Sequence, residues 1–281
     1  MVSFGGSSSL LLLALSLFST TATAGTSRGL ALGIEPLAQA DLKKLTDSGA
    51  VNWYYTWNMY PNKYLKDSKS NVKFFPLVNP AQANKDLGNA LKDLRAKSDH
   101  LLTFNEPDMG KDRGGNPIDP GQAAQLYIDH IMPLREKGWK ISHPVVSGSP
   151  EGRNWLKKFN DACKAKKPGK GCVSDFVSVH WYGDLNGLKG HMEELRKFYN
   201  PTANNLKFYI TEIAYPAASE AKNLELLKGA SKYFDDLKFV EGFSWFGSFR
   251  QKDANAWTKG GVALVKNNGD LTSVGSFYTK K

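Results

Sequence analysis

Cysteine is scarce: the 281-residue chain holds two, Cys163 and Cys172. Two thiols cannot build a disulfide-dense scaffold, so the fold must rest on a hydrophobic core. The five histidines are dispersed, with no H-x-x-x-H or H-E-x-x-H spacing, which gives metal binding little support. Asp108 and Asp112 are followed by no EF-hand pattern. No G-x-G-x-x-G or G-x-x-x-x-G-K occurs, so the phosphate loops of nucleotide-binding sheets are missing. No serine nucleophile elbow is present either; Gly148-Ser149-Pro150-Glu151-Gly152 does not fit G-x-S-x-G. The single near-match to an N-glycosylation acceptor, Asn200-Pro201-Thr202, is blocked by proline. Charge of one sign prevails, at +10 overall, but it is scattered as single residues and pairs. Nucleic acid binding would want a clustered basic face. A basic soluble surface is the reading, with attraction to an anionic cell-wall matrix as the alternative.

Long apolar runs are also few. Leu10–Phe18 falls short of the roughly 20 residues needed to span a bilayer. A small-residue stretch ending Ala22-Thr23-Ala24 follows it. Residues 1–24 are therefore expected to be a cleaved signal peptide, leaving 25–281 as one secreted domain without a membrane span. Secretion bears on the cysteines: in an oxidising compartment Cys163 and Cys172 are expected to close a short Lys- and Gly-rich loop. No linker or internal repeat is visible, and a monomer is expected.

What the chain does have is aromatic residues, 12% of the total with seven Trp. Apolar, β-rich runs recur at Gly29–Ile34, Val51–Trp57, Phe74–Val78, Leu101–Phe104, Trp139–Val146, Phe176–Trp181, Phe208–Thr211 and Val240–Phe246. Helical patterns lie between them at Pro36–Ser48, Asp119–Lys137, Gly190–Tyr199 and Ser219–Tyr233. Asp119-Pro120 reads as an N-cap with proline at the first helical position. Alternating strands and helices imply an α/β fold with a parallel sheet. Eight such units in a chain of this length predict a single (β/α)8 TIM barrel, a fold of roughly 250 residues. An open doubly wound sheet is the runner-up.

In such a barrel the chemistry sits at the C-terminal ends of the strands. Glu106, in "LLTFNEPD", ends expected strand 4, and Glu212, in "FYITEIAYP", ends expected strand 7. Those ends face each other across the barrel mouth. A pair of carboxylates about 5 to 5.5 Å apart suits a retaining glycosidase; about 6.5 to 9.5 Å suits an inverting one. Proximity of like charges and apolar walls raises one pKa, as an acid requires, whereas the nucleophile needs donors that keep it ionised. Asn105 can offer its amide to a sugar hydroxyl. Strand 6 ends in His180-Trp181-Tyr182, strand 8 carries Trp245, and strand 2 carries Tyr55 and Trp57. Sugars present apolar C–H faces and many hydroxyls, so flat aromatics with a few polar groups suit them. Trp245 is expected to be a sugar platform and Tyr182 a hydroxyl donor to Glu212.

The segments "VNWYYTWNMYP", "LLTFNEPD", "VSVHWYG", "FYITEIAYP", "EGFSWFGSF" and "NNGDLTSVGSFY", in that order, resemble glycoside hydrolase family 128, the Asl1-like glycosyl hydrolase catalytic core. The resemblance runs from about Arg28 to Tyr278. It departs at Gly33-Ile34-Glu35 and at Val78-Asn79-Pro80. It implies β-1,3-glucan as the substrate and partner, retention of configuration, Glu106 as acid/base, Glu212 as nucleophile, and no cofactor. The expected activity is a secreted endo-β-1,3-glucanase. A barrel glycosidase acting on mannan, cellulose or chitin, and a wall-associated glucan-binding protein with little turnover, are the alternatives.

Overall fold

The computed structural model describes Met1 and residues 25–33, 37–66, 71–95 and 98–281. The expected leader and the departure at Ile34-Glu35 lie outside the described residues. Nine strands form one parallel sheet with helices packed against it: β1 Ser27–Ala31, β2 Val51–Tyr55, β3 Lys73–Phe74, β4 Leu77–Val78, β5 His100–Thr103, β6 Lys140–His143, β7 Phe176–Tyr182, β8 Lys207–Ala214 and β9 Val240–Trp245. Their order is β3-β2-β1-β9-β8-β7-β6-β5-β4. The two outermost strands are thus consecutive in the chain. Only Phe75 and Pro76 separate them.

The expected strand Phe74–Val78 is therefore split, and proline is the cause. Pro76 has no N–H to give a ladder. Before it, Phe75 N donates to Tyr54 O at 2.8 Å on β2; the Pro76 carbonyl accepts from Leu102 N at 2.9 Å on β5. The chain changes neighbours at that residue, and the curled sheet follows.

Side chains alternate between the two faces of each strand. The inner face carries Ala31, Trp53, Tyr55, Leu77, Leu102, Phe176 and Tyr209, with Phe75 between the split strands. Trp53 stacks on Phe75 at 5.0 Å and meets Tyr209 edge-on at 5.6 Å. The opposite residues, among them Leu30, Tyr54, Phe74, Leu101, Val177, Val179, Phe208, Ile210 and Phe243, face the helices in a larger apolar cluster.

The helix expected over Asp119–Lys137 begins as predicted: Asp119 accepts from the N–H groups of Gly121 and Gln122. It is regular only through Leu126. It then widens over Tyr127–Ile131 and tightens over Met132–Lys137, where Pro133 cannot donate to the ladder. The sequence reading missed the 17-residue helix Pro150–Lys166. Its signals were Ser149, which accepts from Gly152 N, then Pro150, then Trp155, Phe159 and Cys163 at helical spacing on the buried face.

Cys163 near the end of that helix is joined to Cys172, with their Cα atoms 5.3 Å apart. The bridge secures the loop leading into β7. That loop lies at the end of the sheet opposite the C-terminal ends of the strands. Among the described residues no helix is long and apolar enough to cross a membrane. Replacing both cysteines by serine is expected to cost about 2–3 kcal/mol of unfolding free energy, from loop closure. Chemical denaturation should show that loss, with catalytic rates unchanged. A falling rate at equal folded fraction would mean that the bridge shapes the site.

Candidate active site

The acid pair is assembled by two local irregularities. Thr103 ends β5, and Phe104 and Glu106 then adopt positive φ values of 45° and 41°. Non-glycine residues rarely hold that region, and each such residue costs about 1–3 kcal/mol. The turn is held from both sides. Glu106 N donates to Val145 O at 2.8 Å, and Asp108 accepts from Ser147 N at 3.1 Å and from the Ser147 hydroxyl.

Glu212 reaches the inner face through a bulge. Val179 of β7 pairs with Ile210 of β8, yet the next residue, His180, pairs with Glu212. Thr211 is the extra residue. Strict alternation from Tyr209 would turn Glu212 outward towards the helices. One inserted residue reverses that. The same register sets His180 and Glu212 side by side.

Glu106, His180 and Glu212 converge, each contributing one atom of a set lying within 4.8 Å of one another. All three are buried, at 8%, 1% and 4% exposure. His180 Nδ1 is 2.9 Å from Glu106 Oε1. Its Nε2 stands 3.4 Å from Glu212 Oε1 without the alignment of a hydrogen bond. Three further groups donate to Glu212: Trp57 Nε1 at 2.7 Å, Tyr55 hydroxyl at 3.1 Å, and the Tyr182 hydroxyl. Trp57 holds its place at φ 54°. Asn79 links the neighbouring loops, donating to Trp57 O at 3.1 Å and accepting from Asn105 N at 3.3 Å.

Burial pushes the Glu212 carboxyl above its ordinary pKa. His180 pulls it back, the Glu106 charge adds to the rise, and the Tyr182 and Trp57 donors lower it. Burial pulls His180 down, but Glu212 and Glu106 outweigh it, so the imidazole titrates above its ordinary value. Burial, and then Glu212, push the Tyr55 and Tyr182 phenols well up, so both remain protonated donors.

Of the candidate residues, the structure brings together Glu106, Glu212, His180, Tyr182, Tyr55 and Trp57. Asn105 lies beside them, buried, with its amide oxygen unpartnered. Two candidates fall elsewhere. Trp245 is 0% exposed, so it cannot be a sugar platform. It pairs with Ile213 on the helix-facing side of the sheet and donates to Val262 O at 2.8 Å. Trp181 also pairs with Ile213; it stacks on His191 at 5.3 Å and donates to Asp184 O at 3.0 Å. The residue that reading missed is Phe246, one position past Trp245 and therefore on the inner side. It meets Trp57 edge-on at 5.9 Å and Tyr182 at 5.5 Å. Period-two parity along β9 was the signal that would have found it.

The chain matches the sequence pattern of the family described as "Glycosyl hydrolase catalytic core" over residues 29–278. It belongs to that family. It is also 30% identical, over 239 residues, to "Alkali-sensitive linkage protein 1" of Schizosaccharomyces pombe. That match covers 81% of this chain and 40% of the relative, so the chain spans about two-fifths of that protein's length. Among solved structures it is similar to a GH128 subgroup VI exo-β-1,3-glucanase from Aureobasidium namibiae, at TM-score 0.73 and 20% identity, covering 91% of this chain and 96% of that one. It is similar too to a GH128 subgroup IV endo-β-1,3-glucanase from Lentinula edodes, at TM-score 0.71 and 22% identity, covering 90% and 98%. These structural likenesses concern the fold, and they agree with the resemblance read from the motifs.

The Tyr182 donor holds the charged form of Glu212, so removing it must raise that carboxyl's pKa further. Tyr182→Phe is expected to move the acidic limb of the kcat/KM–pH profile to higher pH, with the largest loss of activity at low pH. A limb that stays where it is in the unmodified protein would contradict this electrostatic account.

Proposed function

We propose that this chain is a retaining glycoside hydrolase that cleaves β-1,3-glucan by double displacement, acting within chains. The observation that carries the reading is the approach of two buried carboxylates to within 4.8 Å. So close an approach supports the narrow spacing of a retaining pair, about 5 to 5.5 Å between carboxyl groups, over the about 6.5 to 9.5 Å of an inverting one. Glu106 protonates the glycosidic oxygen while Glu212 attacks the anomeric carbon, which gives a glycosyl-enzyme. Water then attacks that carbon, gives its proton to Glu106 and releases Glu212. His180 bridges the pair and positions Glu106. The Asn105 amide donates to the sugar hydroxyl next to the anomeric carbon.

The split pair β3 and β4 reads as one strand broken at Pro76. On that count the domain 25–281 is a (β/α)8 barrel, with Glu106 after strand 4 and Glu212 on strand 7. The apolar run and A-x-A stretch of residues 1–24 support cleavage and secretion. The disulfide fits an oxidising compartment, and the basic surface suits a cell-wall setting. The substrate class rests on the ordered motifs and on the similar solved structures, which are β-1,3-glucanases.

Glu106→Gln and Glu212→Gln are each expected to lower kcat on laminarin by about a hundredfold or more with the fold intact. Product NMR should show the β-anomer first, and chromatography a ladder of internal oligomers from laminarin but not from mannan or chitin. Full activity in Glu212→Gln, or initial release of the α-anomer, would overturn the mechanism. Binding without release would turn the reading to a glucan-binding protein.

A further inference from the structure

The aromatic lining of the acid pair does not stop at Tyr182. The Trp257 ring lies 4.7 Å from the Tyr182 ring, tilted by 57°, and is itself 57% exposed. One aromatic surface thus runs from a buried carboxylate to open solvent. A lone exposed tryptophan needs no explanation. This one is held in place.

Asn255 Oδ1 accepts from Trp257 N at 3.1 Å, and from the N–H and hydroxyl of Thr258 at 2.7 and 2.9 Å. Thr258 is fully buried, and its carbonyl accepts from Ala217 N at 3.0 Å, tying this loop to the turn that follows β8. Both sides of that seam are strained, with Ala217 at φ 56° and Lys259 at φ 54°. Gly261 lies so close to the same turn that a Cβ there would come within 2.2 Å of Ala218 O. Strain of this kind persists where the surroundings over-determine it, as at binding sites. Beyond the seam is a cavity of about 600 Å³, whose lining includes Asp184, Asn186, Tyr215, Ala217, Lys222 and Glu225. Tyr215, in its lining, directly follows β8, the strand that carries Glu212.

We propose that Trp257 and this cavity form a distal carbohydrate subsite. Trp257 stacks on the apolar face of a glucosyl unit away from the point of cleavage. Asp184 and Asn186 receive the hydroxyls of the unit beyond it. The ligand is a β-linked glucan chain longer than the two units that flank the acid pair. A rigid, amphipathic platform suits such a ligand, because stacking requires a flat surface whose ordering has already been paid for. The inference rests on the glycosidase reading above and deepens it.

The test is isothermal titration of laminaribiose and laminarihexaose into the Glu212→Gln protein, alone and combined with Trp257→Ala or Trp257→Phe. Cellohexaose and mannohexaose serve as parallel ligands. Trp257→Ala is expected to weaken hexaose binding about three- to tenfold and to leave biose binding within about twofold; Trp257→Phe should recover most of the loss. Equal hexaose affinity with and without Trp257 overturns the subsite and leaves the catalytic reading intact. A Trp257-dependent gain with length for cellohexaose or mannohexaose alone keeps the subsite and sinks the β-1,3-glucan assignment. No binding of any of these hexaoses overturns the subsite.

Discussion

The rest of the structure is arranged around a charge that ought not to be where it is. Glu212 is 4% exposed. An isolated carboxylate taken out of water costs several kcal/mol. Two phenols, an indole N–H and an imidazole surround this one, and a second carboxylate stands close by. The donors favour its ionised form; burial and Glu106 favour the protonated one. The carboxyl titrates above its ordinary value, and the phenol and indole donors hold it towards the ionised form that nucleophilic attack would need.

Much of the scaffold serves this balance. The inner aromatic cluster of Trp53, Tyr55, Phe75 and Tyr209 excludes water beneath the pair and fixes the Tyr55 ring. The bulge at Thr211 aims Glu212 inward, and the single Tyr55 hydroxyl proton is shared between Glu212 Oε1 at 3.1 Å and the carbonyl of that extra residue at 3.0 Å. Strained backbone at Trp57, Phe104 and Glu106 places two of the site's side chains, the Trp57 indole and the Glu106 carboxyl. Such strain needs a stable surrounding structure. The helices capped by Ser149 and Ser219 and the disulfide at the far end of the sheet contribute that stability without touching the chemistry.

The sequence made part of this legible. Glu106 and Glu212 stood at the ends of apolar runs, where a carboxylate without a task would be costly. The bond from Tyr182 to Glu212 followed from their expected adjacency across neighbouring strands. What could not be read was direction. Trp181 and Trp245 lie on the right strands but face the helices, because parity along a strand assigns faces and composition does not. The bulge at Thr211 has no signature in "YITEIA", since its evidence lies in the register with β7. The split at Pro76 was visible as a proline within a run, but its consequence, a change of partner strand, belongs to the tertiary fold. The helix Pro150–Lys166 carried its signals openly, in Ser149-Pro150 and the spacing of Trp155, Phe159 and Cys163.

The account stands on Glu212 forming a bond to sugar. A glucosyl fluoride bearing fluorine in place of the 2-hydroxyl makes the second step slow while the first proceeds. Intact-mass spectrometry of the protein after exposure to 2-deoxy-2-fluoro-laminaribiosyl fluoride should show one glycosyl adduct, and peptide mapping should put it on Glu212. An adduct on Glu106, or none from protein that still hydrolyses laminarin, would contradict it.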